Sequence, residues 1–309
     1  MRISPRGVFL ALSALFLAGC DEWDIGGSSD RYKEDFHFSY PLTSGGTLQV
    51  ENFNGSIEIS GWDKNTVDID GTKYAATEAR LREININVTP SANSVTIRTV
   101  PPLDRHGNYG ARYLIHVPRK TELTSIVSSN GAIRVDTIEG RTHLKTSNGT
   151  IRASQLQGSL DARTSNGTVD VSDVTGDTTL HTSNGAVRAD IRKGSFEATT
   201  SNGAITARLI EPDSKPIRLE SSNGHIELTM DAAREVHADT SNSSITVRMP
   251  GSAGAVVRAH TSNASITSDF DVSVRGGMLS KHRLEGTIGS GGPLLDLGTS
   301  NGGIKLVRY

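Results

Sequence analysis

Apolar positions along the chain keep a fixed register with a short polar motif, Thr-Ser-Asn-Gly, seen intact at Thr146 to Gly149. Its asparagines fall at Asn130, Asn148, Asn166, Asn184 and Asn202, an interval of 18 residues each time, and then at Asn223, Asn242, Asn263 and Asn301. The third residue after each of them is Ile133, Ile151, Val169, Val187, Ile205, Ile226, Ile245, Ile266 and Ile304, an unbroken β-branched column. The fifth is usually apolar too, from Val135 and Ala153 to Val247 and Leu306, with a polar residue between. Before the asparagine the same rule holds: Leu144, Ala162, Leu180, Ala198, Leu219, Ala238 and Ala259 sit four residues back, and Leu160, Phe196, Ile217, Val236 and Val257 six back. Period-two alternation belongs to a strand with one buried face, so each unit predicts two short strands that meet at the motif. Glycines eight residues before the asparagine, at Gly140, Gly158, Gly176 and Gly194, mark the turn at the far end.

An early segment, "LQVENFNGSIEISGW", obeys the same spacing, with Leu48 and Val50 before Asn54 and Ile57 and Ile59 after it. Beyond it the pattern loosens: Ile86 to Val100 reads as a hairpin and "RYLIHVP" as a longer strand. The gap of 38 residues between Asn263 and Asn301 leaves room for two units with a worn motif between them. Asn-Gly between alternating strands is also a hairpin signal, which makes an up-and-down meander the rival architecture. The recurring Thr-Ser favours stacked coils, because amides and hydroxyls one strand spacing apart can hydrogen-bond along the stack. Asn242-Ser243 and Asn263-Ala264 drop the glycine and keep the asparagine, so stacking outranks a positive-φ turn. The expected fold is all-β: a single-domain β-solenoid, or β-helix-like stack, of ~18-residue two-strand coils. Residues 41–309 would form it, with an elaborated N-terminal part at 41–120 and the repeats at 121–309; the asparagine column from Asn130 to Asn301 would be its structural ladder.

Composition agrees with that class. Of the 309 residues 35% are hydrophobic, and the net charge of −2 excludes a basic nucleic-acid binder. The one cysteine, Cys20, has no internal disulfide partner, and its setting explains it. Arg2 and Arg6 precede an apolar run, Val8 to Ala18, too short to span a bilayer, which reads as a secretion signal over residues 1–19. "LAGC", Leu17 to Cys20, resembles the lipobox of bacterial lipoproteins; the resemblance implies cleavage before Cys20, acylation there with chains such as palmitate, and a stable membrane anchor. The polar stretch that follows, residues 20–40, is expected to be a lipidated tether, which puts the protein in the cell envelope, periplasmic or surface-exposed.

Three stretches together, "ENFNGSIEISGWD", the serial "TSNGxI" units and the ending "LEGTIGSGGPLLDLGTSNGGIKL", resemble the bacterial DUF4097 family, known as candidate adhesins and related to auto-transporter adhesin head domains. The resemblance covers residues 45–309. It implies a β-solenoid-like fold and an envelope location.

Motifs for nucleotide binding, HExxH metal binding, GxSxG nucleophiles and the calcium nonapeptide are missing, so no cofactor and no metal is expected. Reading the coils vertically gives one candidate patch. Arg218, His237 and Arg258 form an outward column, with Glu220, Asp239 and His260 beside it. Neighbouring coils would bring Glu220 and Asp239 to about 5 Å in the backbone, near the carboxylate separation of retaining glycosidases. His237, Asp239 and His260 also offer zinc-ligand chemistry. A solvated checkerboard of opposite charges is the simpler account. Arg134, Arg152 and Arg188 share another outward column, broken by Asp170. Trp62, Tyr74, Tyr109 and Tyr113 gather the aromatic residues in the N-terminal part, the better place for a ligand pocket. The functional expectation is a membrane-tethered, non-enzymatic adhesin-like or scaffold surface with an envelope polysaccharide or protein as partner. The alternative is a glycan-active enzyme or metal-dependent glycan binder using the patch. A third reading is self-association, since "GGIKLVRY" ends on a full motif without an evident cap.

Overall fold

A computed structural model describes residues 30–104, 106–274 and 280–309. The expected signal segment 1–19, Cys20 and the first part of the expected tether lie outside these residues. Two long sheets, of 13 and 14 strands, face each other across one continuous core. Most of the chain passes alternately from one sheet to the other, and successive passes pair in parallel: Leu160–Arg163 lies beside Thr178–His181 in one sheet, Ile151–Gln157 beside Val169–Thr175 in the other. The register advances by one repeat, Ile151 opposite Val169 and Val169 opposite Val187. The predicted apolar columns point inward. Ile133, Ile151, Val169, Val187, Ile205, Ile226, Ile245 and Ile304 are buried on one side, as are Leu144, Ala162, Leu180, Ala198, Leu219 and Ala238 on the other.

Each residue of the motif has its own task at the corner. The threonine turns inward, where Thr164 Oγ1 donates to the Gly149 carbonyl at 3.0 Å and Thr182 Oγ1 to the Gly167 carbonyl at 2.9 Å. The serine faces solvent, and its carbonyl accepts from the next coil: Ser165 N and Asn166 N both donate to the Ser147 oxygen. The asparagine bonds its counterpart. Asn148 Nδ2 donates to Asn130 Oδ1 at 2.7 Å, Asn166 to Asn148 and Asn184 to Asn166 at the same distance, and so on along the stack. The glycine is there for space rather than for φ. A Cβ on Gly167 would collide with the Gly149 carbonyl oxygen, and the motif glycines from Gly131 to Gly224 all lie outside the positive-φ set. At the far end, Thr137, Gln155 and Asp173 stack with positive φ of 59°, 53° and 54°.

The ends depart from the sequence reading. The coil of Leu294–Thr299 and Ile304–Arg308 lies between two earlier coils: Leu294–Thr299 pairs with Val236–Thr240 and with Ala255–Thr261, and Ile304–Arg308 with Ile245–Met249 and Ile266–Ser268. The ladder follows, Asn301 bonding Asn242 and Asn263 bonding Asn301 at 2.7 Å. The 38-residue gap is therefore not two stacked units but an excursion. Arg283–Ile288 runs antiparallel to Ala255–Thr261, and Val272–Ser273 runs antiparallel to Arg283–Ile288. The final strand is not an open edge, because it has partners on both sides.

The other end is built the same way. The coil of Gly46–Glu51 and Ile57–Trp62 sits between Ser94–Val100 with Tyr109–Pro118 and Thr121–Ser128 with Ile133–Glu139, so Asn130 Nδ2 reaches Asn54 Oδ1 at 2.7 Å. Asn85–Pro90 and Ser94–Val100 form the expected hairpin, and Tyr109–Pro118 the expected strand. Residues 32–40, expected in the tether, are corrected: Tyr32–Pro41 is an edge strand antiparallel to Thr66–Ala75. Alternate residues Phe36, Phe38 and Tyr40 pack inward against the core, which is why a stretch rich in charge still belongs to the sheet. A short helix, Glu78–Glu83, capped by Thr77, was not evident from the pattern.

Candidate functional site

The sequence-predicted patch lies on the outer face of the 14-stranded sheet, but its columns are reordered. Arg218 is beside His237, and Glu220 beside Asp239, as expected. Arg258 and His260 are one strand further away than expected, because Leu294–Thr299 intervenes and places Asp296 between His237 and Arg258 and Gly298 between Asp239 and His260. Asp296 and Gly298 alternate with Leu295 and Leu297, which keep the inward phase of the repeat. What the repeat did not show was which coils this unit enters.

Gly298 gives the patch its shape. Having no side chain, it leaves a space into which Asp239 and His260 lean from either side; a Cβ there would strike the Asp239 carboxylate and lie 2.8 Å from His260 Cε1. His237 faces Glu235 through Nε2 at 3.1 Å and Asp296 through Nδ1 at 3.7 Å. Burial pushes the Asp239 carboxyl above its ordinary value, and the nearby Asp296 carboxylate adds to it, while His260 opposes the shift. The rim carries hydroxyls from Thr199, Ser201, Ser222 and Ser241 around a shallow depression of about 390 Å³.

Chemically this is an acid–imidazole cluster in which one carboxyl holds its proton more readily than an ordinary aspartate does. Among the described residues no group of three or more His, Cys, Asp or Glu is arranged to hold a metal ion, so His237, Asp239 and His260 do not form the tetrahedral donor set that zinc requires. Several other charges on this side are paired: Arg163 with Asp161 at 2.8 Å, Lys215 with Asp177 at 2.7 Å, Arg283 with Glu285 at 2.6 Å. On the opposite sheet Arg134, Arg152, Asp170 and Arg188 are aligned in register, as the repeat predicts.

The aromatic residues of the N-terminal part have separate surroundings. Trp62 stacks on His116 with ring centroids 5.1 Å apart, and Arg112 lies 4.6 Å over Tyr74. Tyr113 is buried, its hydroxyl bonded to Thr99 and its pKa pushed up to about 12 by desolvation. Tyr109 packs against Phe53. No described helix is long and apolar enough to cross a membrane.

The family model described as Toastrack DUF4097 matches residues 31–307. No curated protein matches the chain. Three solved structures align with 89% of it: a candidate cell adhesion protein from Clostridium sporogenes, 13% identical over 100% of its own length with a TM-score of 0.24; a candidate adhesin from Bacteroides fragilis, 11% identical over 97% with 0.25; and a candidate adhesin from Parabacteroides merdae, 12% identical over 96% with 0.31.

Proposed function

Since the chain belongs to the Toastrack DUF4097 family, we propose that it is an adhesin-like, non-enzymatic surface of the bacterial envelope, held to a membrane through acylated Cys20. The observation that carries this reading is the construction of the outer faces. A single core supports two long sheets whose outward residues include short hydroxyls, amides and charges, some of them paired across strands, which together make a long polar display surface. An envelope polysaccharide or protein is the partner class.

The test is a binding screen of the full chain in detergent against envelope polysaccharides and lipid vesicles, with a Glu220→Ala/Asp239→Ala variant alongside. Equal binding by both proteins is the expected outcome. Metabolic labelling with palmitate tests the anchor: label and membrane association are both expected to vanish in Cys20→Ser, and a labelled variant would refute acylation at that residue.

The convergence of Asp239 and His260 over Gly298 favours a second reading, a glycan-active patch. It predicts the opposite result in the same screen, with binding or turnover lost in the double variant.

A further inference from the structure

A cavity larger than the depression at the patch lies elsewhere. It opens at the N-terminal end of the asparagine ladder, where the inserted coil meets the hairpin of Asn85–Pro90 and Ser94–Val100, and encloses about 610 Å³. That volume lies within the range of about 300–1,000 Å³ typical of small-molecule sites.

Its walls have three kinds of surface. One is aromatic: Phe53, half-buried, lines the cavity and is braced by buried Tyr109, with ring centroids 5.3 Å apart. The second is the end of the amide ladder. Asn130 Nδ2 donates to Asn54 Oδ1 at 2.7 Å, and Asn54 Nδ2 to the Tyr109 carbonyl at 2.9 Å. A carboxamide has two N–H groups and two acceptor sites, so each rung retains donor and acceptor capacity after stacking, fixed in direction by its neighbours. The third is the rim, where exposed Asn87 stands near an ion pair between Arg98 and Glu51, Nε to Oε2 at 3.2 Å.

These surfaces define the occupant. A braced ring suits a ligand with a flat C–H face. Oriented amides suit neighbouring hydroxyls, each of which donates and accepts. Arg98 and Glu51 cancel each other, so the lining has no net charge to attract an anion or a cation. Glu51 is also the only carboxylate of the lining, whereas glycoside hydrolysis by the usual route needs two. We propose that this cavity is a binding site for a neutral saccharide of one or two rings, with Phe53 as its platform and the Asn54–Asn130 end of the ladder reading its hydroxyls. The proposal goes beyond the display-surface reading and does not depend on the Asp239 patch.

Calorimetric titration of the full chain in detergent tests it, with cellobiose, maltose and N,N′-diacetylchitobiose as neutral probes and glucose 6-phosphate and inorganic phosphate as charged ones. At least one neutral disaccharide is expected to bind with Kd of about 1 mM or tighter. Phe53→Ala is expected to weaken it at least tenfold. Because Phe53 also packs on Tyr109, Asn87→Leu provides a variant at an exposed position, expected to weaken binding severalfold with an unchanged melting curve. Glu220→Ala/Asp239→Ala should bind as the parent does. Silence of all neutral probes, undiminished binding in both cavity variants, or preference for the phosphorylated probes would overturn the proposal. Each of those results leaves the display-surface reading intact, since the polysaccharide and vesicle screen tests that separately.

Discussion

The middle of the stack and its two ends are made of the same unit but joined by different rules. Between Thr142 and Thr229 each strand lies beside the strand one repeat earlier and one repeat later, so neighbours in sequence are neighbours in space. At the ends a coil is inserted between two others: Ile57 lies opposite Ile133, and Ile245 opposite Ile304. Beyond the inserted coils both sheets change to antiparallel pairing at one end, with Tyr32–Pro41 and Asn85–Pro90. At the other end the 14-stranded sheet does so, with Val272–Ser273 and Arg283–Ile288, while the 13-stranded sheet ends on the short parallel strand Ile266–Ser268. A parallel stack has no intrinsic stop, because each coil presents the same unpaired edge as the one before. The inserted coils move the ordinary units inward and leave irregular strands at the rims.

Deletions should separate the two rules most sharply. Removing residues 167–184 takes out one middle repeat and rejoins Asn166 to Gly185, recreating the motif. The neighbouring coils then meet in the register they already use, and a folded protein with a modestly lower melting temperature is expected. Removing residues 294–309 takes out a coil with partners on both faces, and loss of cooperative unfolding with early proteolysis of 255–288 is expected. Circular dichroism melts and limited proteolysis give the answer; equal damage from both deletions would contradict the comparison.

At the corner, Gly167→Ala is expected to destabilise by about 1–3 kcal/mol because the new methyl meets backbone rather than a yielding side chain. Ser243→Gly, the reverse change near the inserted coil, should lie within about 1 kcal/mol of the parent, since that segment already accommodates a Cβ. Denaturant titration measures both. A smaller contrast lies in the ladder. Asn184→Leu breaks two side-chain bonds and Asn263→Leu one, so losses of about 2 and about 1 kcal/mol are expected from the same titrations.

The smallest effect concerns pH, and its sign differs between the regions. Asp177, in the middle, is held at about 2 by hydrogen bonds from Lys215 and Ser195; it contributes stability above its ordinary value of 3.8, lost as pH falls from there toward 2. Asp239, beside the inserted coil, has its value raised from 3.8, first by burial. Its folded form therefore binds the proton more readily, and stability falls as pH rises from 3.8 through the raised value. Asp177→Asn should flatten the acid limb of a melting-temperature profile, and Asp239→Asn should raise the melting temperature at neutral pH.

How much could be read from the chain follows from the same contrast. Ile133, Leu144 and Phe196 declared their burial through alternation, and Asn148 its ladder through spacing, because both depend on local period. The place of Asn301 did not show, because a unit with Leu295, Leu297 and Ile304 in phase fits equally against any other coil. Asp296 and Gly298 were missed for that reason, and with them the actual shape of the Asp239 patch. The edge strand Tyr32–Pro41 was hidden by its charges, Lys33, Glu34 and Asp35, which come before the alternation of Phe36, Phe38 and Tyr40. The cavity at Phe53 draws on residues from Glu51 to Asn130, joined only through long-range pairing.

The direction of the ladder also matters. From Asn263 to Asn130 each amide nitrogen donates toward the N-terminal cap, and Asn54 finishes the row on the Tyr109 carbonyl. Reversing one amide would set nitrogen against nitrogen on one side and oxygen against oxygen on the other. Orientation is therefore a collective property of the corner: the small electric moments add from coil to coil, and the rod has a polarity along its length that is independent of its net charge.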